Sequence, residues 1–71
     1  MFGLYRVPLG RQIADRLRQE IQAGCVRGQR IESDTQLAKR FGVSVLTVRG
    51  AMSSLAGEGL VERRQGSGTY V

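Results

Sequence analysis

Arginine supplies ten of the eleven cations in this chain, and the residues best suited to contact a ligand fall in two clusters. Ser44, Val45, Thr47 and Arg49 crowd one short stretch, while Arg63, Arg64, Gln65, Gly66 and Ser67 form the other. A guanidinium fork matches phosphate oxygens or a guanine edge bidentately, and hydroxyls serve either partner. The same inventory lacks what most catalysis needs. There is no histidine and one cysteine, Cys25, so no zinc set, internal disulfide or histidine-based triad can form. No nucleophile stands beside a base, and no glycine-rich phosphate loop runs into a lysine. Nothing near Cys25 supplies a resolving thiol. The residue types point to recognition of a polyanion rather than to an enzyme, with no cofactor and no metal. Charge alone does not decide the matter, since many basic proteins bind no polyanion.

Composition bounds what can hold these residues. A chain of 71 residues with net charge +5 has room for one domain. At that size folding buries roughly 60% of the surface the unfolded chain exposes. The 41% hydrophobic content and single proline suit a small globular domain better than a disordered tail. No apolar run approaches the ~20 residues of a membrane span, and the N-terminus lacks the order of a secretory signal. A lone cysteine fits a reducing compartment. The expectation is a cytoplasmic module with no membrane partner.

The elements that position the clusters can be read in order. Residues 1–7 have no clear period and are read as an N-terminal arm. Pro8 suits the first position of a helix, and Leu9, Ile13, Leu17 and Ile21, with Ala14, form its apolar stripe. Arg11–Asp15 and Arg16–Glu20 are expected i,i+4 pairs on its solvated face. Gly24 stands where a helix end favours positive φ. Cys25 falls in the loop that follows, half-buried, and Ile31 marks a very short strand. Ser33-Asp34-Thr35-Gln36 reads as a capping box opening a short second helix. In that helix Leu37, Ala38 and Phe41 face inward, whereas Lys39 and Arg40 face out. Ser44 caps a third helix that buries Val48, Ala51, Met52 and Leu55 and runs to about Gly57. Its outer face of Val45, Thr47, Arg49, Gly50, Ser53 and Ser54 is free of acid. Two β-prone runs around Gly66-Ser67-Gly68 complete a hairpin. The fold class is mainly α with a small β-hairpin, in the order helix, short strand, helix, helix, strand, strand.

The junction between the second and third helices is the informative part. A steep crossing needs a small residue beneath it, a turn residue free to take positive φ, and a branched apolar residue facing back. Ala38, Gly42 and Val48 supply these in turn. This is the helix-turn-helix pattern. It makes Ser44 to Arg49 the reading segment in a major groove, with the N–H groups at 44–46 free to hold a phosphate. Thr35, Lys39 and Arg40 would lie near the DNA backbone. The hairpin would act as a wing, its arginines on phosphates and its Gln65-Gly66-Ser67 tip close to backbone or minor groove.

With these residues in view, "QIADRLRQEI" (12–21), "SDTQLAKRFGVS" (33–44), "TVRGAM" (47–52) and "LAGEGLVERRQGSGTYV" (55–71) resemble the GntR-type winged helix-turn-helix DNA-binding domain. The likeness runs from Val7 onward, making 8–71 the expected domain. It implies a bacterial transcription factor, typically a repressor, that binds double-stranded DNA at a palindromic operator as a homodimer. In such proteins a C-terminal domain senses a small-molecule effector and supplies most of the dimer interface. These 71 residues include no such domain, and their modest size and lack of a spare apolar stripe make a monomer the expectation for the isolated unit. The pattern is also departed from. Glu32 replaces the family's usual proline, and Thr35, Val45 and Gly50 stand where arginine is common. Gly50 costs its helix about 1 kcal/mol relative to alanine. Val45 offers a methyl surface to thymine in place of a guanine contact.

A reading from another class uses the same fold for protein–protein contact, with Val45 and Leu46 as an apolar knob. The cation-rich wing beside an acid-free helix favours DNA over it.

Overall fold

The computed structural model describes residues 7–71, so all of the expected arm except Val7 lies outside the described residues. Three helices form, α1 over Leu9–Gly24, α2 over Asp34–Phe41 and α3 over Val45–Gly57. Three short strands accompany them, β1 over Arg30–Ile31, β2 over Glu62–Arg64 and β3 over Gly68–Tyr70. α3 lies at the centre, packed against both α1 and α2. Its Val48, Ala51, Met52 and Leu55 are fully enclosed, and Leu37 from α2 and Ile13, Ala14, Leu17 and Ile21 from α1 close around them. Every apolar position expected inward from the third helix is in this core.

The sheet is larger than the hairpin expected from sequence. Its order is β1-β3-β2, antiparallel throughout, with Arg30 opposite Tyr70 and Ile31 opposite Thr69. On the other side of β3, Glu62, Arg63 and Arg64 face Tyr70, Thr69 and Gly68. The isolated strand at Ile31 is thus what stitches the wing to the helices. Two loop hydrogen bonds extend the seam, from the Gly28 N–H to the Val71 carbonyl at 2.7 Å and from the Val71 N–H to the Gln29 carbonyl at 2.8 Å.

Local signals mostly hold. Ser33 closes a full capping box: its Oγ accepts from the Gln36 N–H at 3.1 Å, and the Gln36 side chain accepts from the Ser33 N–H at 2.9 Å. α2 ends at Gly42, in the left-handed region at φ 67°, and the Val43 N–H reaches back to the Ala38 carbonyl at 3.0 Å. That closure turns the chain sharply into the Ser44 cap of α3.

Four details of α1 differ from the sequence reading. Pro8 precedes the helix as its cap residue, with ψ 144°, rather than occupying the first turn. Leu9 is 51% exposed and outside the stripe. Steps of four advance about 40° beyond a full turn, so a run of them drifts off one face. The residue that faces α3 in the first turn is instead Gly10, where an added Cβ would lie 3.8 Å from the Thr47 carbonyl oxygen. Asp15 pairs with Arg18 at 2.6 Å rather than with Arg11, while Arg18 also holds Glu58 at the end of α3. Arg16–Glu20 forms as expected, at 3.1 Å. Gly24 has no positive φ; Cys25 ends the helix in an extended conformation, and the left-handed residue is Gly28 at φ 89°.

These backbone states give opposite outcomes for one substitution. Neither Gly24 nor Gly42 has an atom within 4 Å of an added Cβ, so only conformation decides. Gly42→Ala should lower unfolding free energy by about 1–2 kcal/mol. Gly24→Ala should raise it by about 0.4–1 kcal/mol. Urea denaturation followed by far-ultraviolet circular dichroism reads both; equal effects would contradict the assigned backbone.

Candidate nucleic-acid interface

The interface is built at the joint where α2 and α3 begin and the hairpin ends. Ser44 caps α3, its Oγ accepting from the Thr47 N–H at 3.1 Å and lying 2.9 Å from Thr47 Oγ1. The two hydroxyls therefore hold each other in place at the helix N-terminus, each with hydrogen-bonding capacity to spare. Along the first turn, Val45 is half-buried against the core, whereas Leu46 is 75% exposed. Arg49 follows one turn on, exposed, with Nε 3.7 Å from Asp34 Oδ2.

The wing arginines take different roles. Alternation along β2 puts Arg63 on the side of buried Thr69, where Nη1 donates to Thr69 Oγ1 at 3.2 Å. Its fork also grips Asp34 bidentately, at 3.0 and 2.7 Å. Arg64 projects from the other side, 4.5 Å above the Tyr70 ring and hydrogen-bonded to Glu62 at 2.9 Å. Tyr70 in turn meets Ser67 Oγ at 2.7 Å, which braces the turn from β2 to β3. Gln65, Gly66 and Ser67 form that turn and are exposed, with Gly66 at φ 75°.

Asp34 is the node. It is the first residue of α2, where a carboxylate also complements the helix dipole. The Arg63 guanidinium beside it holds its carboxyl below the usual carboxylate range, more than offsetting partial burial, and Arg49 adds to this. Reciprocally, Asp34 raises the pKa of Arg63.

Between these elements runs a groove of about 680 Å³. It brings together Thr35, Arg49, Arg63, Arg64, Gln65, Gly66 and Ser67 from the sequence-derived set. Ser44, Val45 and Thr47 lie just beyond, on the first turn of α3. Lys39 and Arg40 do not join the groove. Lys39 is exposed on the last turn of α2, while Arg40 bonds Glu20 at 2.7 Å, pairs with Glu32 at 3.3 Å and lies over Phe41. Sequence reasoning missed Asp34 and Arg30, which also line the groove. The capping box contained the signal for Asp34, since a first-turn acid next to a wing rich in arginine needs a partner. For Arg30 the signal was alternation about Ile31.

A helix-turn-helix pair beside a small antiparallel three-stranded sheet, two of whose strands follow it as a hairpin, defines a winged helix domain of the kind transcriptional regulators use. The chain belongs to the family of bacterial regulatory proteins called gntR, whose family model matches residues 9–71. The mannosyl-D-glycerate transport/metabolism system repressor MngR of Escherichia coli K12 is 46% identical over 65 residues, covering 90% of this chain and 27% of MngR. The transcriptional repressor NagR of Bacillus subtilis 168 is 38% identical over 66 residues, covering 92% of the chain and 27% of NagR. Among solved structures, the AraR DNA-binding domain in complex with operator ORE1 superposes with TM-score 0.92 at 30% identity. That match covers 100% of this chain and 88% of the AraR chain. This chain thus spans little more than a quarter of the curated repressors it resembles.

The Asp34 node gives a pH-dependent prediction. Its folded pKa lies below its unfolded one, so its contribution is complete above the unfolded value and is lost as pH falls through the folded value. Asp34→Asn should therefore be less stable than wild type at neutral pH, by about 1 kcal/mol at this exposure. The two urea curves should converge at pH values below the ordinary aspartate range. Glu20 and Glu58 are also held low, but they are common to both proteins and cancel in the difference. A gap that persists once Asp34 is protonated would show that its charge is not what stabilises the joint.

Proposed function

We propose that residues 8–71 bind double-stranded DNA sequence-specifically, with α3 in the major groove and the 63–69 wing against minor groove or backbone. One observation carries this reading: the groove beside the first turn of α3 is lined by four arginines against one carboxylate. Arg49 and Thr47 address base edges or phosphate, and Ser44 fixes the helix end that faces the duplex. Arg63 and Arg64 serve the backbone beside the wing, and the side-chain-poor turn of Gln65, Gly66 and Ser67 permits close approach. Thr35 at the start of α2 lies along the same backbone, with Lys39 and Arg40 as outlying cations.

In its regulator we infer a homodimer on a palindromic operator, in the bacterial cytoplasm, with a C-terminal domain taking a small-molecule effector. The names of MngR and NagR support repression as the output. The isolated domain acts as a monomer on a half-site. None of the described helices is long and apolar enough to cross a membrane.

The apolar start of α3 sets the base preference. Val45 and exposed Leu46 present methyl groups where the family commonly carries arginine at the first of these positions, favouring thymine over guanine. The same exposure of Leu46 is what a protein-docking knob would need, and DNA binding separates the two readings.

The test is fluorescence anisotropy with a random duplex and a duplex selected from a library, titrated from about 50 to 200 mM salt. The selected duplex should bind tighter, with log K falling by about 0.9 per phosphate contact for each decade of salt. Arg49→Ala should cost about 1–3 kcal/mol and relax one position if it reads a base, or weaken all duplexes alike if it grips phosphate. Val45→Arg should shift one position of the selected motif from T toward G. An unchanged motif would remove Val45 from the reading surface, and absence of binding at low salt would favour the protein-docking reading.

A further inference from the structure

The groove cations are not equivalent. Arg63 is committed to Asp34, Arg64 to Glu62, and Arg49 stands near Asp34. Glu20 and Glu32, which line the adjoining hollow with Arg30, both pair with Arg40. Arg30 also lines the groove and is exposed, yet no described carboxylate pairs with it.

Its position is built rather than incidental. β1 sets Arg30 opposite Tyr70, and the side chain leans diagonally along the sheet across Gly68, toward the wing turn. An added Cβ at Gly68 would lie 2.8 Å from Arg30 Nε, 3.3 Å from Nη2 and 3.4 Å from Cζ. The guanidinium therefore occupies the space a side chain at 68 would fill. Because Gly68 has φ 135°, glycine there serves two ends, admitting the backbone turn and leaving a track for the arginine.

We propose that Arg30 is a backbone-phosphate contact of the wing groove. The inference rests on the DNA-binding reading and adds a residue to it. A phosphate reaching Arg63 or Arg64 must displace an internal carboxylate or share the arginine with it. At Arg30 it meets an unshared fork already held against the sheet. Among the four groove arginines, Arg30 is thus the one whose fork a phosphate can take without breaking a salt bridge of its own.

The experiment compares Arg30→Gln, Arg30→Lys and Arg27→Gln with wild type on the random and selected duplexes. Arg27 is exposed in the 26–29 loop and does not line the groove, so its variant removes equal charge elsewhere. Matched circular dichroism shows that each variant is folded; Gly68→Ala is avoided because its φ alone would strain the hairpin. Arg30→Gln should weaken both duplexes by the same factor and leave the selected motif unchanged. One lost phosphate contact flattens the salt slope by about 0.9, so the wild-type advantage should shrink about threefold to fourfold between ~50 and ~200 mM salt. Arg30→Lys should restore the slope, and Arg27→Gln should leave it near wild type. A slope unchanged in Arg30→Gln, or an equal change in Arg27→Gln, overturns the assignment while DNA binding stands. Loss confined to the selected duplex overturns it in favour of base contact. A wild-type chain that binds neither duplex overturns the DNA reading and this inference together.

Discussion

The left-handed turn at Gly42 is the constraint on which the rest depends. A helix end can be closed in several ways, but the reach-back from Val43 to Ala38 sends the chain off at one defined angle. With Ala38 small beneath the crossing, Val48 enters the core with no exposed surface, and the remaining inward residues of α3 follow at helical spacing. Once α3 is seated, its first turn has no freedom left. Ser44, Thr47 and Arg49 face outward because Val48, Ala51 and Met52 face inward. The outer surface of α3 is in this sense the complement of the core, determined by the same register.

The second joint is the pairing of β1 with β3. A two-stranded hairpin alone is marginal in water. Two residues of β1 convert it into a sheet edge tied to the loop after α1, and Arg63–Asp34 then ties it to α2. The wing is held at both ends as a result. Buried Thr69 sits at the middle of this arrangement, its hydroxyl bonded to the same Arg63 that reaches Asp34. Backbone pairing fixes where the wing stands, and one arginine fixes how it leans toward the helices.

What was legible in the sequence follows from range. The capping box at Ser33, the cap at Ser44 and the core stripe of α3 depend on residues within a few positions, and each formed as read. Gly24 and Leu9 were misread for a local reason, since a glycine near a helix end and a fourfold spacing are both degenerate signals. The positive φ falls instead at Gly28, in the loop beyond the extended helix end at Cys25, and Gly10 is the first-turn residue that faces α3. The partners of the arginines were illegible because they are separated in sequence by 20 to 40 positions, as in Arg40–Glu20, Arg63–Asp34 and Arg18–Glu58. Sequence shows that a cation is present. Only the fold shows which carboxylate has already claimed it.

That distinction changes how the charge of this surface should be understood. A net charge of +5 suggests a reservoir of positive potential, yet most groove arginines begin in exchange with an acid. Binding a phosphate at Arg63 leaves Asp34 less well compensated, so part of each new contact is offset by the one it weakens. Such pairing holds the forks in defined positions at the cost of affinity, which favours discrimination between duplexes over indiscriminate attraction. The departures from the family's usual arginines act in the same direction. Thr35, Val45 and Gly50 remove formal charge from the proposed contact side while leaving the buried residues of α2 and α3 untouched. With fewer free cations, the proposed reading surface would rest more on shape, on the methyl groups of Val45 and Leu46, and on the placement of Arg49. On the proposed reading, a single unit holds DNA weakly by charge, and a second copy on an adjacent half-site would supply what one groove lacks.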